Sequence, residues 1–150
     1  MKNLLQRFIL RARCDEGGAI LELAVALPFI LLLAVGVADY GRLYYTGIAV
    51  ASAVEAGVHY GVAYDGNVDS MTASTRRDGA GFTFDTINAG KFCRCPDTGV
   101  VDCAATTCGV YGAPQIFDSV RVREDVVLLV HYVGLPATVT VTRTAILRQR

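Results

Sequence analysis

The sequence has no surplus of charge in either direction: Lys plus Arg and Asp plus Glu number 14 each in 150 residues, and charged residues make up only 19% of the chain. With no basic excess to grip a phosphate backbone, nucleic acid is not expected as a partner. Histidine is scarce. His59 reads as a partly buried helix residue and His131 as a sheet-face residue, and neither lies near a G-x-S-x-G or Cys/His signature. No glycine-rich phosphate loop or G-x-G-x-x-G follows a strand pattern, and C-x-x-C is absent. These absences argue against nucleotide-binding and thiol oxidoreductase chemistry. Nothing points to catalysis, and nothing calls for a cofactor or a metal. Repeats and low-complexity runs are also missing, and the length suits one small domain plus an appendage better than two lobes around a cleft.

What the chain does have is apolar surface, 53% of its residues, concentrated near the N-terminus. Leu23–Ala38 (LAVALPFILLLAVGVA) is sixteen residues without a charge, and extension back to Gly17 gives 22 residues interrupted only by Glu22. About 20 residues of helix span a bilayer core, so residues 18–38 are expected to cross a membrane. Lys2, Arg7, Arg11 and Arg13 outweigh Asp15 and Glu16 on the N-terminal flank, which keeps that flank cytoplasmic and exports the C-terminal remainder of the chain. A cleaved secretory peptide would have a core of about 7–15 residues ending at a small-x-small site. Here the longer core runs into Asp39-Tyr40-Gly41-Arg42, so a retained anchor is preferred. Pro28 within the run is expected to kink the helix locally.

Glu22 is costly in such a helix, by about 2.5–3.5 kcal/mol on insertion scales, and intramembrane carboxylates are usually there for function. An interfacial, hydrated position would make it incidental. If the chain is cut between Gly17 and Gly18, however, Glu22 becomes the fifth residue, and its carboxylate can neutralise the α-ammonium of a neighbouring subunit inside an apolar bundle. A basic leader, a glycine, four mostly apolar residues, a glutamate and a long apolar helix resemble the class III signal of type IV pilin-like proteins. G-G-A-I-L-E-L-A-V-A-L-P-F-I-L-L-L followed by D-Y-G-R-L-Y-Y resembles the opening of the TadE-like pseudopilins of the tight adherence (Tad) pilus. The likeness continues through A-S-A-V-E-A-G-V-H-Y-G-V and returns at C-R-C-P-D-T-G and V-T-V-T-R-T-A-I-L-R. It implies a structural minor pilin of the bacterial inner membrane, single-pass with its N-terminus cytoplasmic, cut after Gly17 by a prepilin peptidase and assembled into a pilus fibre or its tip. The implied partners are the Flp major pilin, a TadF-like pseudopilin and the Tad assembly platform, with surface adhesion as the outcome. The rival reading is a permanently anchored extracytoplasmic binding or sensor module in which Gly17 is never cut.

Beyond the apolar run, Val37, Tyr40, Tyr44, Ile48, Ala51, Val58 and Val62 recur at spacings near three, four or seven, which predicts that the helix continues from Gly18 to about Tyr64, about 70 Å in all. Tyr40, Tyr44 and Tyr45 suit either an interfacial aromatic belt, with Arg42 reaching headgroups, or packing under a head domain. Residues 65–90 are polar and glycine-punctuated, with a short helix expected over Asp69–Arg77; Arg76 and Arg77 read as a solvated pair. A hairpin is expected from Lys91–Cys95 and Val100–Cys103 around Pro96-Asp97-Thr98-Gly99, and strands over Ser119–Val133 and Thr138–Leu147 joined by Gly134-Leu135-Pro136-Ala137.

Five cysteines are an odd count for an exported chain, and the leader accounts for one. Cys14 stays behind, while Cys93, Cys95, Cys103 and Cys108 are exported and are expected to form two disulfides. Adjacent pairing of Cys93 with Cys95 is strained, which leaves 93–103 with 95–108, or 93–108 with 95–103. A zinc site is disfavoured because C-x-C-x7-C-x4-C lacks the C-x2-C knuckles. The expected fold is therefore α+β and pilin-like: a leader over residues 1–17, a transmembrane helix over 18–38 that extends through 39–64, and a small antiparallel sheet head with disulfides over 65–150.

Overall fold

The computed structural model describes residues 16–104 and 107–149. The expected leader, with Lys2, Arg7, Arg11, Arg13, Cys14 and Asp15, lies outside the described residues. Two compact units make up the chain, Met1–Tyr40 and Gly41–Arg150. The described elements are α1 (Glu16–Ala63), α2 (Val68–Asp78), β1 (Thr86–Cys95), β2 (Gly99–Val101), a single 3-10 turn (Gly109–Tyr111), β3 (Gln115–Val127) and β4 (Thr138–Arg148).

Helix α1 holds 48 residues and runs through Pro28. In the first unit its apolar side chains are open on every face: Leu21, Phe29, Leu32 and Leu33 are all exposed, and every residue from Gly18 to Ala34 is exposed. A helix that is apolar all round has no inside and outside of its own; it needs an apolar surrounding. It is the one described helix long and apolar enough to cross a membrane.

In the second unit, the buried face of α1 is not the expected stripe. Tyr44 and Ile48 are exposed, as is Tyr40 at the end of the first unit, and of that stripe Val58 alone is fully buried; the core face is instead Val50, Ala53, Val54, Gly57, Val58 and Gly61. Residue size explains the choice. Ala53, Gly57 and Gly61 lie four apart on one side of the helix, and there α2 approaches so closely that a Cβ on Gly57 would overlap Thr75 Oγ1 and lie 3.2 Å from the Met71 carbonyl oxygen. On Gly61 it would stand 2.8 Å from Met71 Sδ. Helices pack this closely only where one of them offers small side chains. A large-residue stripe cannot be admitted at such a contact.

Helix α2 begins one residue before and ends one residue after the expected span. Asn67 caps it, its side chain accepting a hydrogen bond from the Ser70 N–H at 2.9 Å, with Asp69 in the first turn and Arg76 and Arg77 in the last, each charge on the favourable end of the helix dipole.

The four strands form one antiparallel sheet in the order β2-β1-β3-β4. Alternation puts Ile87 and Ala89 of β1, Val120 and Val122 of β3, and Val141, Ala145 and Leu147 of β4 against the cluster of Val50, Val54, Val58 and Met71. The strand boundaries differ from expectation at several points. β1 starts at Thr86, where the period of the sequence shifts toward two and five residues before the expected hairpin strand, because β3 supplies partners as far as Arg123. β3 in turn starts at Gln115, four residues before Ser119, opposite Arg94. β2 ends at Val101, so Cys103 is not in a strand, and Cys95 pairs with Gly99 across a three-residue turn. β3 ends at Val127 rather than Val133, since its last pair is Val127 with Thr138 and the alternating residues beyond have no ladder partner. His131 accordingly stands exposed outside the sheet, and His59 is exposed rather than partly buried.

Replacing Gly57 with Val should lower thermal stability of the detergent-solubilised protein by about 1–3 kcal/mol, the usual cost of overpacking. Gly41→Ala, at a helix position open to a Cβ, should raise it by about 0.5–1 kcal/mol. Equal melting temperatures for Gly57→Val and wild type would contradict the close α1–α2 contact.

Candidate functional site

The two glycines of the expected cleavage point fall in the first turns of α1, which starts at Glu16. Gly17 and Gly18 each favour an unwound chain over a helical one by about 0.5–1 kcal/mol relative to alanine, so this end of the helix is the cheapest to open. Nothing lies within 4 Å of where a Gly18 Cβ would stand. Glu22 is exposed, one turn further on. Residues four apart share a helix face, which puts position 18 and the Glu22 carboxylate on the same side of α1. No ion pair to Glu22 forms among the described residues. A single carboxylate therefore interrupts an otherwise apolar surface.

In the second unit, β1 sends Cys93 and Cys95 to the same face because side chains alternate along a strand. Cys93 lies at disulfide distance from Cys103, with Cα atoms 5.0 Å apart, and Cys95 from Cys108, with Cα atoms 5.5 Å apart. Of the two crosswise pairings open in the sequence, the fold brings together 93–103 and 95–108. Cys93, Cys95 and Cys108 are buried and Cys103 is exposed. The two links hold the segment after β1 against the sheet and present Val110 and Tyr111 on its surface. Bridges of this kind are worth about 2–5 kcal/mol in small exported domains. Among the described residues, no three His, Cys, Asp or Glu side chains gather as a metal site.

Tyr45 resolves toward the packing role: its ring meets Phe82 at 5.8 Å between centroids, and Phe82 in turn stacks on Phe84 at 6.3 Å. Arg42 donates from Nη1 to the Val127 carbonyl at 3.4 Å. Arg42, Tyr45, Phe82 and Val127 line a groove of about 370 Å³ together with Glu124 and Asp125. A larger open hollow, about 550 Å³, lies on the outward sheet face between Phe92, Arg121 and Thr144. Its lining has no carboxylate, histidine or thiol, so no acid–base or nucleophilic pair is assembled there.

Glu124 is an electrostatic feature that the motifs of the sequence do not single out. Its parity is that of Val120, Val122 and Val126, so the strand turns it toward the core, and Oε2 is buried without a hydrogen-bond partner among the described residues. Burial first and the neighbouring Asp85 carboxylate second push its pKa up from the ordinary 4.5; Asp125 adds to this, while a hydrogen bond from the Asp85 backbone opposes it. A carboxylate at an apolar position of an alternating strand is the readable signal.

Residues 17–59 match the family of TadE-like proteins. No curated protein and no solved structure matches the chain. The family match covers the glycine pair, Glu22, the apolar run and most of the remainder of α1, 43 of the 150 residues.

Because the folded protein holds the Glu124 proton more tightly than the unfolded chain does, this group's contribution to stability is fully present below pH 4.5 and is lost as pH rises through the raised folded-state value. Glu124→Gln should therefore melt higher than wild type at pH 7, with the gap closing as the pH falls below 4.5. A gap that stays constant with pH would contradict the burial of this carboxylate.

Proposed function

We propose that the protein is a minor pilin, or pseudopilin, that a prepilin peptidase cuts between Gly17 and Gly18 and the Tad assembly platform then moves from the inner membrane into a pilus. The observation that supports this most is the placement of one carboxylate, Glu22, on the exposed apolar stretch Gly18–Ala34 of α1, at the fifth position of the chain that cleavage after Gly17 would leave. Lipid tails and the apolar flanks of other pilin helices offer α1 nearly equivalent surroundings, so transfer from bilayer to fibre costs little for Leu23–Ala38. Glu22 is different. In lipid it is a penalty of about 2.5–3.5 kcal/mol. In a bundle it meets the α-ammonium on Gly18 of a neighbouring subunit, and both charges are offset.

This assigns each part of the chain a task. The basic leader holds the N-terminus in the cytoplasm until the peptidase acts, and the glycines let the helix end unwind into the enzyme. Residues 18–38 anchor the precursor and later join the fibre core. The disulfide-held head is carried outside, where the Flp major pilin and a TadF-like pseudopilin are its neighbours and surface adhesion is the outcome of assembly. No step requires a cofactor.

Intact mass of the protein from membranes should correspond to a chain beginning at Gly18. Gly17→Leu should accumulate as precursor, because a bulky side chain blocks a site adapted to glycine. Glu22→Ala should be exported, cut and stable in the membrane, yet depleted by on the order of 10²–10⁴-fold from sheared filaments, since stranding one member of a buried ion pair costs about 3–5 kcal/mol. A mature chain retaining Met1, or equal recovery of wild type and Glu22→Ala in filaments, would refute the proposal.

A further inference from the structure

The loop between β3 and β4 has the wrong composition for solvent. Residues 128–137 read LLVHYVGLPA, ten positions with no Asp, Glu, Lys or Arg, at which only His131 titrates near neutral pH. Leu129, Val130, Val133 and Leu135 are exposed, and Val127 at the loop's base is exposed as well. Connecting loops that face water are polar, and contiguous exposed apolar side chains mark a surface that something else covers.

Part of the loop's backbone is satisfied within the loop itself. The Leu128 N–H donates to the Ala137 carbonyl at 3.0 Å and the Leu135 N–H to the Tyr132 carbonyl at 3.1 Å, while Pro136 has no N–H to satisfy. The second of these bonds closes a tight turn over Tyr132–Leu135, with Gly134 at φ 87°, the left-handed value that a type II turn requires at its third position. Val133 stands at the apex and is completely exposed. Backbone groups that are paired within a segment lower the cost of placing it at a lipid boundary.

Arg42 argues for a position near the bilayer. This residue donates to the Val127 carbonyl at the base of the loop, and it stands four residues along α1 from Ala38, where the uncharged run ends. The bond ties the base of the loop to the part of α1 that directly follows its apolar run. We propose that residues 128–137 insert into the lipid interface of the bilayer that α1 crosses, giving the head a second membrane contact through Leu129, Val130, Val133 and Leu135. This rests on the reading of α1 as a membrane anchor. In that state the head is held at the membrane by a helix and a loop together, and extraction into a fibre must release both.

The chain has no tryptophan, so single-tryptophan variants report depth without further engineering. Val133→Trp, Leu31→Trp and Val110→Trp are each reconstituted as full-length protein in phosphatidylethanolamine/phosphatidylglycerol vesicles, with and without brominated acyl chains. All three positions are exposed, so none of the substitutions displaces a packed neighbour. Brominated lipid should quench both Leu31→Trp and Val133→Trp, the latter by about half or more if the loop reaches the roughly 5–10 Å depth typical of interfacial segments. Val110→Trp should remain unquenched by lipid and open to aqueous acrylamide. Quenching of Leu31→Trp alone, with Val133→Trp behaving as Val110→Trp does, would overturn the loop insertion while leaving the anchor in place and would point to a protein as the loop's cover. Loss of lipid quenching at Leu31→Trp as well would overturn the anchor and the loop proposal with it.

Discussion

The structure depends on one constraint: the sixteen uncharged residues Leu23–Ala38 are helical, and from Leu23 to Ala34 every one of them stands exposed among the described residues. Burial of apolar surface is worth about 25 cal/mol per Å², and the other described residues do not supply it to this stretch. A bilayer or the helices of other subunits would supply it. Glu22 sharpens the constraint, because either environment must also deal with a carboxylate. Lipid deals with it poorly, and a neighbouring α-ammonium deals with it well.

The second unit solves its own burial problem by a different device. Ala53, Gly57 and Gly61 remove side-chain bulk along one side of α1, letting Met71 and Thr75 of α2 come close enough to share a core with Val120 and Val122. Small residues here do what large apolar ones do in a conventional amphipathic helix. The core that results is modest, and crosslinks at 93–103 and 95–108 compensate for a short β2. The uncharged β3–β4 loop repeats at small scale the situation of α1, apolar surface that the fold itself does not cover.

Much of this is legible in the residues. The apolar run, the glycine pair with Glu22, the two helices and the antiparallel strands all arise from patterns within a few residues of one another, and the likeness to TadE-like proteins is matched over residues 17–59, with C-R-C-P-D-T-G and V-T-V-T-R-T-A-I-L-R lying outside that match. Features that depend on a partner are not legible in this way. Hydropathy assigns one stripe of α1 to the core, whereas the close approach of α2 selects another by size. Alternation carries β3 on to Val133, although a strand ends where its ladder ends, at Val127 opposite Thr138. Cysteine spacing reduces the pairings to two, and only the path of the chain after β2 separates them. The parity of Glu124 is plain in the strand pattern, but the proximity of Asp85 and the burial of Oε2 arise from tertiary packing.

The central claim is that Glu22 of one subunit meets the α-ammonium of Gly18 of another. A zero-length hydrophobic carbodiimide, which activates carboxylates in apolar surroundings, tests it directly when applied to sheared filaments that are then analysed by peptide mass spectrometry. The account predicts an amide joining the Glu22 side chain to the N-terminal nitrogen of a Gly18-initiated chain. Its formation between subunits is shown by mixing isotopically light and heavy protein. Filaments in which Glu22 is modified by the reagent but linked to no N-terminus, or in which the chain still begins upstream of Gly18, would contradict it.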